Sequence, residues 1–205
     1  MRSTHGLPMI FKDLYEFAAK IETPVIRVKD LARRITSYHD EVGEITFTPV
    51  VLDENTTLGY VLYDYDRSSA YGDEFRIMGV RYSGDLNKCN RRFVCCKETM
   101  HAFDSDDERT NTRERFYTLM RELETNPLPA RQSAMLSSEN KAEWMALVIL
   151  CPKPRRDALK AELDAGNMTP RQVAEDILLP EWTIEALMGS LYDEAYDDLV
   201  GGILL

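Results

Sequence analysis

The sequence predicts an α+β fold that is mostly helical and carries a small three-stranded sheet. Three observations point there. Apolar residues recur at helical spacing up to Tyr38. Between Gly43 and Val80 the period shortens to two among β-branched and aromatic residues. After Gly84 the helical period returns and persists. With 205 residues, 44% of them hydrophobic, the chain can bury a sizeable core.

Ile10, Leu14, Phe17, Ala18 and Ile21 place an apolar stripe on a helix from about Pro8 to Glu22, which Thr23-Pro24 ends. A second helix is expected from Val28 to Tyr38, with Leu31, Ala32 and Ile35 inward and Arg33 and Arg34 outward. Ile45, Phe47 and Val50-Val51 belong to a first strand, Gly59 to Tyr65 to a second and Phe75 to Val80 to a third. Turn signals at Asp53-Glu54-Asn55 and from Ser68 to Asp73 separate them at hairpin-like distances, which suits a small antiparallel or mixed sheet. Tyr60, Tyr63 and Tyr65 are read as packing residues without a functional role.

Arg91 to Asp104 reads as one helix, because Phe93, Lys97, Met100, His101 and Asp104 share a stripe that turns Lys97 and His101 inward. The acidic run Asp104 to Glu108 closes it. A further helix is expected from Thr112 to Glu124, with Phe116, Leu119, Met120 and Leu123 inward. Another, from Glu139 to Cys151, is capped by Ser137 or Ser138 and is apolar almost all round beyond its first turn. Pro152-Lys153-Pro154 stops it, and a short helix from Arg155 to Leu163 leads to Gly166. Thr169-Pro170-Arg171-Gln172 supplies a cap, a proline at the first helical position and a Gln three residues after the cap. Leu179-Pro180 then makes a turn, and Ile184, Leu187, Met188 and Leu191 form one inward stripe before an acidic terminus expected to fray.

The formal net charge of −10 argues against broad attraction to phosphate backbones or anionic lipid. No apolar run approaches the roughly 20 residues that span a bilayer, and the segment after Met1 does not read as a signal peptide. A cytoplasmic protein without a membrane partner is expected. Thr169 to Leu191 has the outline of a helix-turn-helix. Its second helix carries Glu181 and Glu185 where phosphates would have to be met, so direct nucleic-acid binding is disfavoured. Cys89, Cys95, Cys96 and Cys151 form no CxxC pair and are read as ordinary buried thiols.

The chemistry-bearing stretch is Lys97-Glu98-Thr99-Met100-His101. A helical H-E-x-x-H sets two imidazoles one turn apart, with the Glu beside them to activate a metal-bound water. Here Lys97 holds the first ligand position. Its ammonium has three donors and no lone pair for a metal. Stripping its proton at neutral pH costs roughly 4–5 kcal/mol. His5 and His39 are the chain's other histidines, and neither is well placed to substitute.

Arg91-Arg92-Phe93 leading into Lys97-Glu98-Thr99-Met100-His101-Ala102-Phe103 resembles the R-x-R-F-T-x-A-H-E-x-G-H segment of ImmA/IrrE-type metallopeptidases. Glu139-Asn140-Lys141-Ala142-Glu143-Trp144-Met145-Ala146, running on to Cys151-Pro152, resembles that family's E-x-E-A-N-x-F-A-x-x-L-L-M-P segment. The resemblance covers roughly residues 8–165. It implies a minimal zincin-like domain over residues 1–165, with residues 166–205 as a helical extension packed on it. It implies Glu98 as the general base and His101 and Glu139 as metal ligands, and Asp104 and Glu143 are candidates to support them or stand in as ligands. Lys97 departs from the pattern. If it enters the same cavity, its charge takes the cation's place and yields a metal-free network, so no cofactor is expected. Zinc, or iron or manganese held by Glu98, His101, Glu139 and Asp104, is the alternative. The family cleaves or binds helix-turn-helix repressors. The expectation is therefore a regulator without standard zinc hydrolysis that binds a protein partner such as a repressor. The competing expectation is an active metallo-endopeptidase with altered ligands.

Overall fold

The computed structural model describes residues 10–53, 57–66, 75–109 and 134–201. Helix α1 is Phe11–Ala19 and α2 is Val28–Tyr38, the latter as the sequence suggests. Ile10 precedes α1 rather than joining its stripe. It is 55% exposed, and its N–H donates to the Asp13 carboxylate at 3.0 Å. The buried stripe is consequently Phe11, Leu14, Tyr15 and Ala18, with Phe17 and Ile21 packed at its margin.

Strands β1 (Val42–Val50), β2 (Gly59–Asp66) and β3 (Phe75–Ser83) form a mixed sheet in the order β1-β3-β2. β3 runs parallel to β1, with Ile45 opposite Met78, and antiparallel to β2, with Tyr63 opposite Met78. The hairpin-like spacing of β1 and β2 therefore does not become a pairing. β3 takes the centre with its backbone paired on both edges, and its face of Arg76, Met78 and Val80 is buried while Ile77 and Arg81 on the other face are half-buried.

Helix α3 (Lys88–Met100) starts at Asn87, whose side chain accepts from the Asn90 N–H at 2.9 Å. β2 lies directly against it. A Cβ on Gly59 would stand 2.5 Å from Val94 Cγ1 and 2.9 Å from the Arg81 carbonyl oxygen, so only glycine allows this approach. The expected single helix to Asp104 is shorter: α3 ends at Met100, and His101–Phe103 is a 3₁₀ turn. Asp104 tightens it. Its N–H donates to the His101 carbonyl at 3.3 Å, while its carboxylate reaches back to the His101 ring.

Helix α4 (Ala134–Leu150) starts five residues before Glu139, so Ser138 lies within the helix and is not its cap. Its burial is unbroken from Met145 to Leu150 and continues into Cys151. Helix α5 (Lys153–Asp164) begins earlier than expected because Pro154 is tolerated in the first turn, where its missing N–H costs nothing. Helix α6 (Pro170–Ile177) has the expected capping box: Thr169 Oγ1 accepts from the Gln172 N–H at 3.3 Å, and Gln172 Oε1 accepts from the Thr169 N–H at 2.8 Å.

Short helices α7 (Ile184–Met188) and α8 (Leu191–Tyr196) follow, the latter running into a π turn, Asp197–Gly201. The break at Gly189 corrects the expected continuous stripe, and Leu191 is 58% exposed. The acidic end carries Val200 into the core through residue 201. Val173, Ile177, Leu187 and Tyr192 join the same buried cluster as Leu14, Met100 and Ile149, so the C-terminal elements share one core with the rest. Buried Arg156 helps fix them. Its guanidinium donates to the carbonyls of Leu187 (3.0 Å) and Gly189 (2.8 Å), satisfying the end of α7. The helix expected at 112–124 lies outside the described residues, and no described helix is long and apolar enough to cross a membrane.

Candidate functional site

The last turns of α3 face the first exposed-to-buried transition of α4, and this is where the motif residues meet. Glu98 and His101 are buried at 3% and 5% exposure. Lys97 is about one-fifth exposed and lies between two carboxylates: its ammonium donates to Glu98 Oε1 at 3.1 Å and to Glu139 Oε2 in a tight ion pair. The other oxygens of the same two carboxylates face His101, with Nε2 3.8 Å from Glu98 Oε2 and 3.4 Å from Glu139 Oε1. Nε2 is buried and has no hydrogen-bond partner among the described residues.

Behind the imidazole, Nδ1 lies 2.7 Å from Asp104 Oδ2. A carboxylate can only accept, which assigns the proton to Nδ1. Ser138 Oγ donates to the other Asp104 oxygen at 2.7 Å, and Arg109 donates to the Asp104 carbonyl at 2.8 Å. Lys141 Nζ stands 3.8 Å from Asp104 Oδ1 and bonds Glu108 at 2.6 Å. Tyr63, from β2, donates its hydroxyl to the His101 carbonyl at 3.4 Å. Glu143, one turn after Glu139, is half-buried and makes no hydrogen bond or ion pair among the described residues.

The structure thus brings together Lys97, Glu98, His101, Glu139 and Asp104, and leaves Glu143 beside them. Ser138, Lys141, Arg109 and Tyr63 complete the cluster without having been assigned to it from sequence. Ser138 was available as the neighbour of Glu139. Tyr63 gave no signal, because it arrives from a strand 38 positions away.

Electrostatics reinforce the arrangement. Burial alone would lower the Lys97 pKa, but Glu98 and Glu139 outweigh it and hold the amine well above its ordinary value. Burial pushes Glu139 up, yet Lys97 and His101 outweigh it and hold the carboxyl below the usual range. Burial of Glu143 raises its pKa, with Lys97 opposing and Glu139 adding. For His101 burial acts downward, but the Asp104 hydrogen bond and the charges of Glu139, Asp104 and Glu98 prevail, and its pKa is raised. His39 moves the other way, lowered by burial and by the nearby Arg76.

The two histidines should therefore titrate in a fixed order, His101 above about 6.5 and His39 below it. The His101 contribution to stability is present below that value and lost as pH rises through its raised folded pKa. The His39 contribution is present above it and lost as pH falls. NMR titration of the imidazole resonances reads the order directly, and His101 titrating below His39 would contradict this electrostatic account.

The residues as arranged do not suit a zinc ion between the carboxylates, since a metal there would have to displace the Lys97 ammonium from both. Among the described residues no three His, Cys, Asp or Glu side chains form a group that could hold a metal. The buried thiols are also uninvolved: burial pushes those of Cys95, Cys96 and Cys151 up to about 12, far from thiolate reactivity at neutral pH, and Cys89 is half-buried. No family model, curated protein or solved structure matches the chain.

Proposed function

We propose that this is a regulatory protein of the ImmA/IrrE type, built on a zincin-like domain, in which Lys97 supplies the positive charge that a metal would otherwise bring. It acts by binding a protein partner such as a helix-turn-helix repressor, not by standard zinc hydrolysis. The observation that carries this reading is the ammonium of Lys97 bridging Glu98 and Glu139 while His101 Nε2 faces the same two carboxylates and Asp104 holds Nδ1. A carboxylate on the far nitrogen is the usual companion of a metal-bound imidazole, so the surroundings suit a cation and the cation present is an amine.

The energetics favour the amine. A lysine of ordinary pKa costs roughly 4–5 kcal/mol to deprotonate at pH 7, and Lys97 lies above the ordinary value. The order of two helices, sheet, motif helix and second core helix is the one the resemblance implies.

Metal analysis of untreated, purified protein tests the proposal. Zinc well below one per chain is expected. Stoichiometric, tightly bound zinc would overturn it, and cleavage of a co-encoded repressor that disappears on Glu98→Gln would replace it with a hydrolase.

A further inference from the structure

A groove of about 1210 Å³ lies between the end of α1, the outer face of α2, β1 and the first turns of α3. Its charge is opposite to that of the molecule. In a chain of net charge −10, seven Lys and Arg side chains line it against one acid, Asp30. That acid is already paired with Arg33 at 2.8 Å.

Three of the seven cations are committed to the fold. Arg33 holds Asp30. Arg92 donates to the carbonyls of Ile26 (2.9 Å) and Ile177 (2.9 Å), and Arg34 stacks on Tyr38 with its guanidinium carbon 3.7 Å from the ring centre. Arg27, Lys29, Lys88 and Arg91 remain. All four are exposed, and none makes an ion pair or side-chain hydrogen bond among the described residues. Arg34 adds a buried Nε without a hydrogen-bond partner among the described residues. Between these charges the walls are apolar, formed by Phe17, Ile21, Val25, Val28, Phe47 and Tyr82.

We infer that this groove docks an acidic amphipathic peptide segment of a partner protein, its apolar residues entering between Phe17, Val28, Phe47 and Tyr82 and its carboxylates meeting Arg27, Lys29, Lys88 and Arg91. The assignment rests on the reading of the chain as a partner-binding regulator and names where that partner binds. Unpaired cations around an apolar floor complement such a segment in both charge and hydrophobicity. The volume exceeds the roughly 300–1,000 Å³ of small-molecule sites.

A nucleic acid fits less well. The net charge of −10 repels a polyphosphate at long range. The rings a base would stack on are partly taken, since Arg34 lies on Tyr38 and also faces Phe17 at 5.3 Å.

The test uses the full chain and a fluorescein-labelled peptide with Leu at helical spacing and Glu elsewhere, read by anisotropy. Saturable binding is expected. It should weaken with salt, and by about tenfold in the Arg27→Glu/Arg91→Glu variant, because charge reversal turns two attractive contacts into repulsive ones. A milder Lys29→Ala/Lys88→Ala variant, with an unchanged melting temperature, should weaken it severalfold, which separates docking from misfolding. Equal affinity in both variants, equal binding of the same peptide with Lys for Glu, or tighter binding of a single-stranded oligonucleotide that displaces the peptide would overturn the assignment. The two readings fail separately. No peptide binding by a zinc-poor preparation strikes the groove alone, whereas stoichiometric zinc strikes the regulator reading and leaves groove binding to be judged by its own variants.

Discussion

Lys97→Met is expected to lower the stability of the protein by about 3 kcal/mol at pH 7, which for a chain of this size is ~6–12 °C in melting temperature. Methionine keeps most of the stem and removes only the charge, so the loss reports electrostatics and not a cavity. Deleting one partner of a fully buried ion pair costs roughly 3–5 kcal/mol, because the other charge is left desolvated. Two features place the expectation at the low end. Lys97 and Glu139 each keep about one-fifth of their side-chain surface in solvent, and His101 Nε2, 3.4 Å from Glu139, supplies part of the lost charge when protonated.

The pH dependence has a definite sign. In the wild-type protein the folded pKa of Glu139 is depressed, so its contribution is present above the unfolded value of about 4.5 and is lost as pH falls. Without Lys97, His101 is left to oppose burial, which raises that pKa, so the buried carboxyl can shed its charge by taking up a proton. The deficit of the variant should therefore be smaller at pH 5 than at pH 7. Urea unfolding at both pH values measures it. A loss under about 0.5 kcal/mol at pH 7, the size of an exposed pair, or one of equal size at both, would mean that Lys97 is not neutralising buried carboxylates.

Parts of this site can be read from local sequence because they depend on local geometry. The stripe of Phe93, Lys97, Met100 and His101 turns Lys97 and His101 inward whatever else the chain does, and Glu98 comes with them as the neighbour of Lys97. The Thr169 capping box is equally local, with donor and acceptor three residues apart. The sheet order is not local. Turn signals show that strands exist and how far apart they are, but the choice of β3 as the central strand depends on pairing between segments far apart in the chain, β1 with β3 across β2. Tyr63 and Ser138 join the site only because β2 lies across α3 and α4 crosses beside it. The start of α4 is not legible in the sequence because a serine beside an apolar run resembles a cap, whereas Ser138 spends its hydroxyl on Asp104. The docking groove was illegible for the same reason: Arg27 and Lys29 meet Lys88 and Arg91 from a segment some 60 positions away, and the overall charge of the chain points the opposite way.

Lys97→His is expected to convert the cluster into a zinc site holding about one metal per chain. The substitution places an imidazole four residues before His101, restoring the H-E-x-x-H spacing, with Glu139 available across the interface as a third ligand. The surroundings that favour uptake are already built around His101. Asp104 and Ser138 fix the ring with its proton on Nδ1, leaving the Nε2 lone pair, unpartnered among the described residues, facing the space between Glu98 and Glu139. The opposing consideration is that His101 sits in a 3₁₀ turn, which tightens the spacing relative to a continuous helix. The metal-free variant also leaves two buried carboxylates without the Lys97 ammonium, so it begins destabilised and its stability becomes linked to zinc, by ~2.7 kcal/mol at a hundredfold excess over the dissociation constant. Metal analysis after dialysis, with melting curves in the presence and absence of a chelator, should show a chelator-sensitive variant beside an insensitive wild type. A Lys97→His protein that takes up no zinc and melts identically with chelator would show that the ammonium does not stand where a cation belongs, and Lys97 would then be an ordinary ion-pair partner of Glu139.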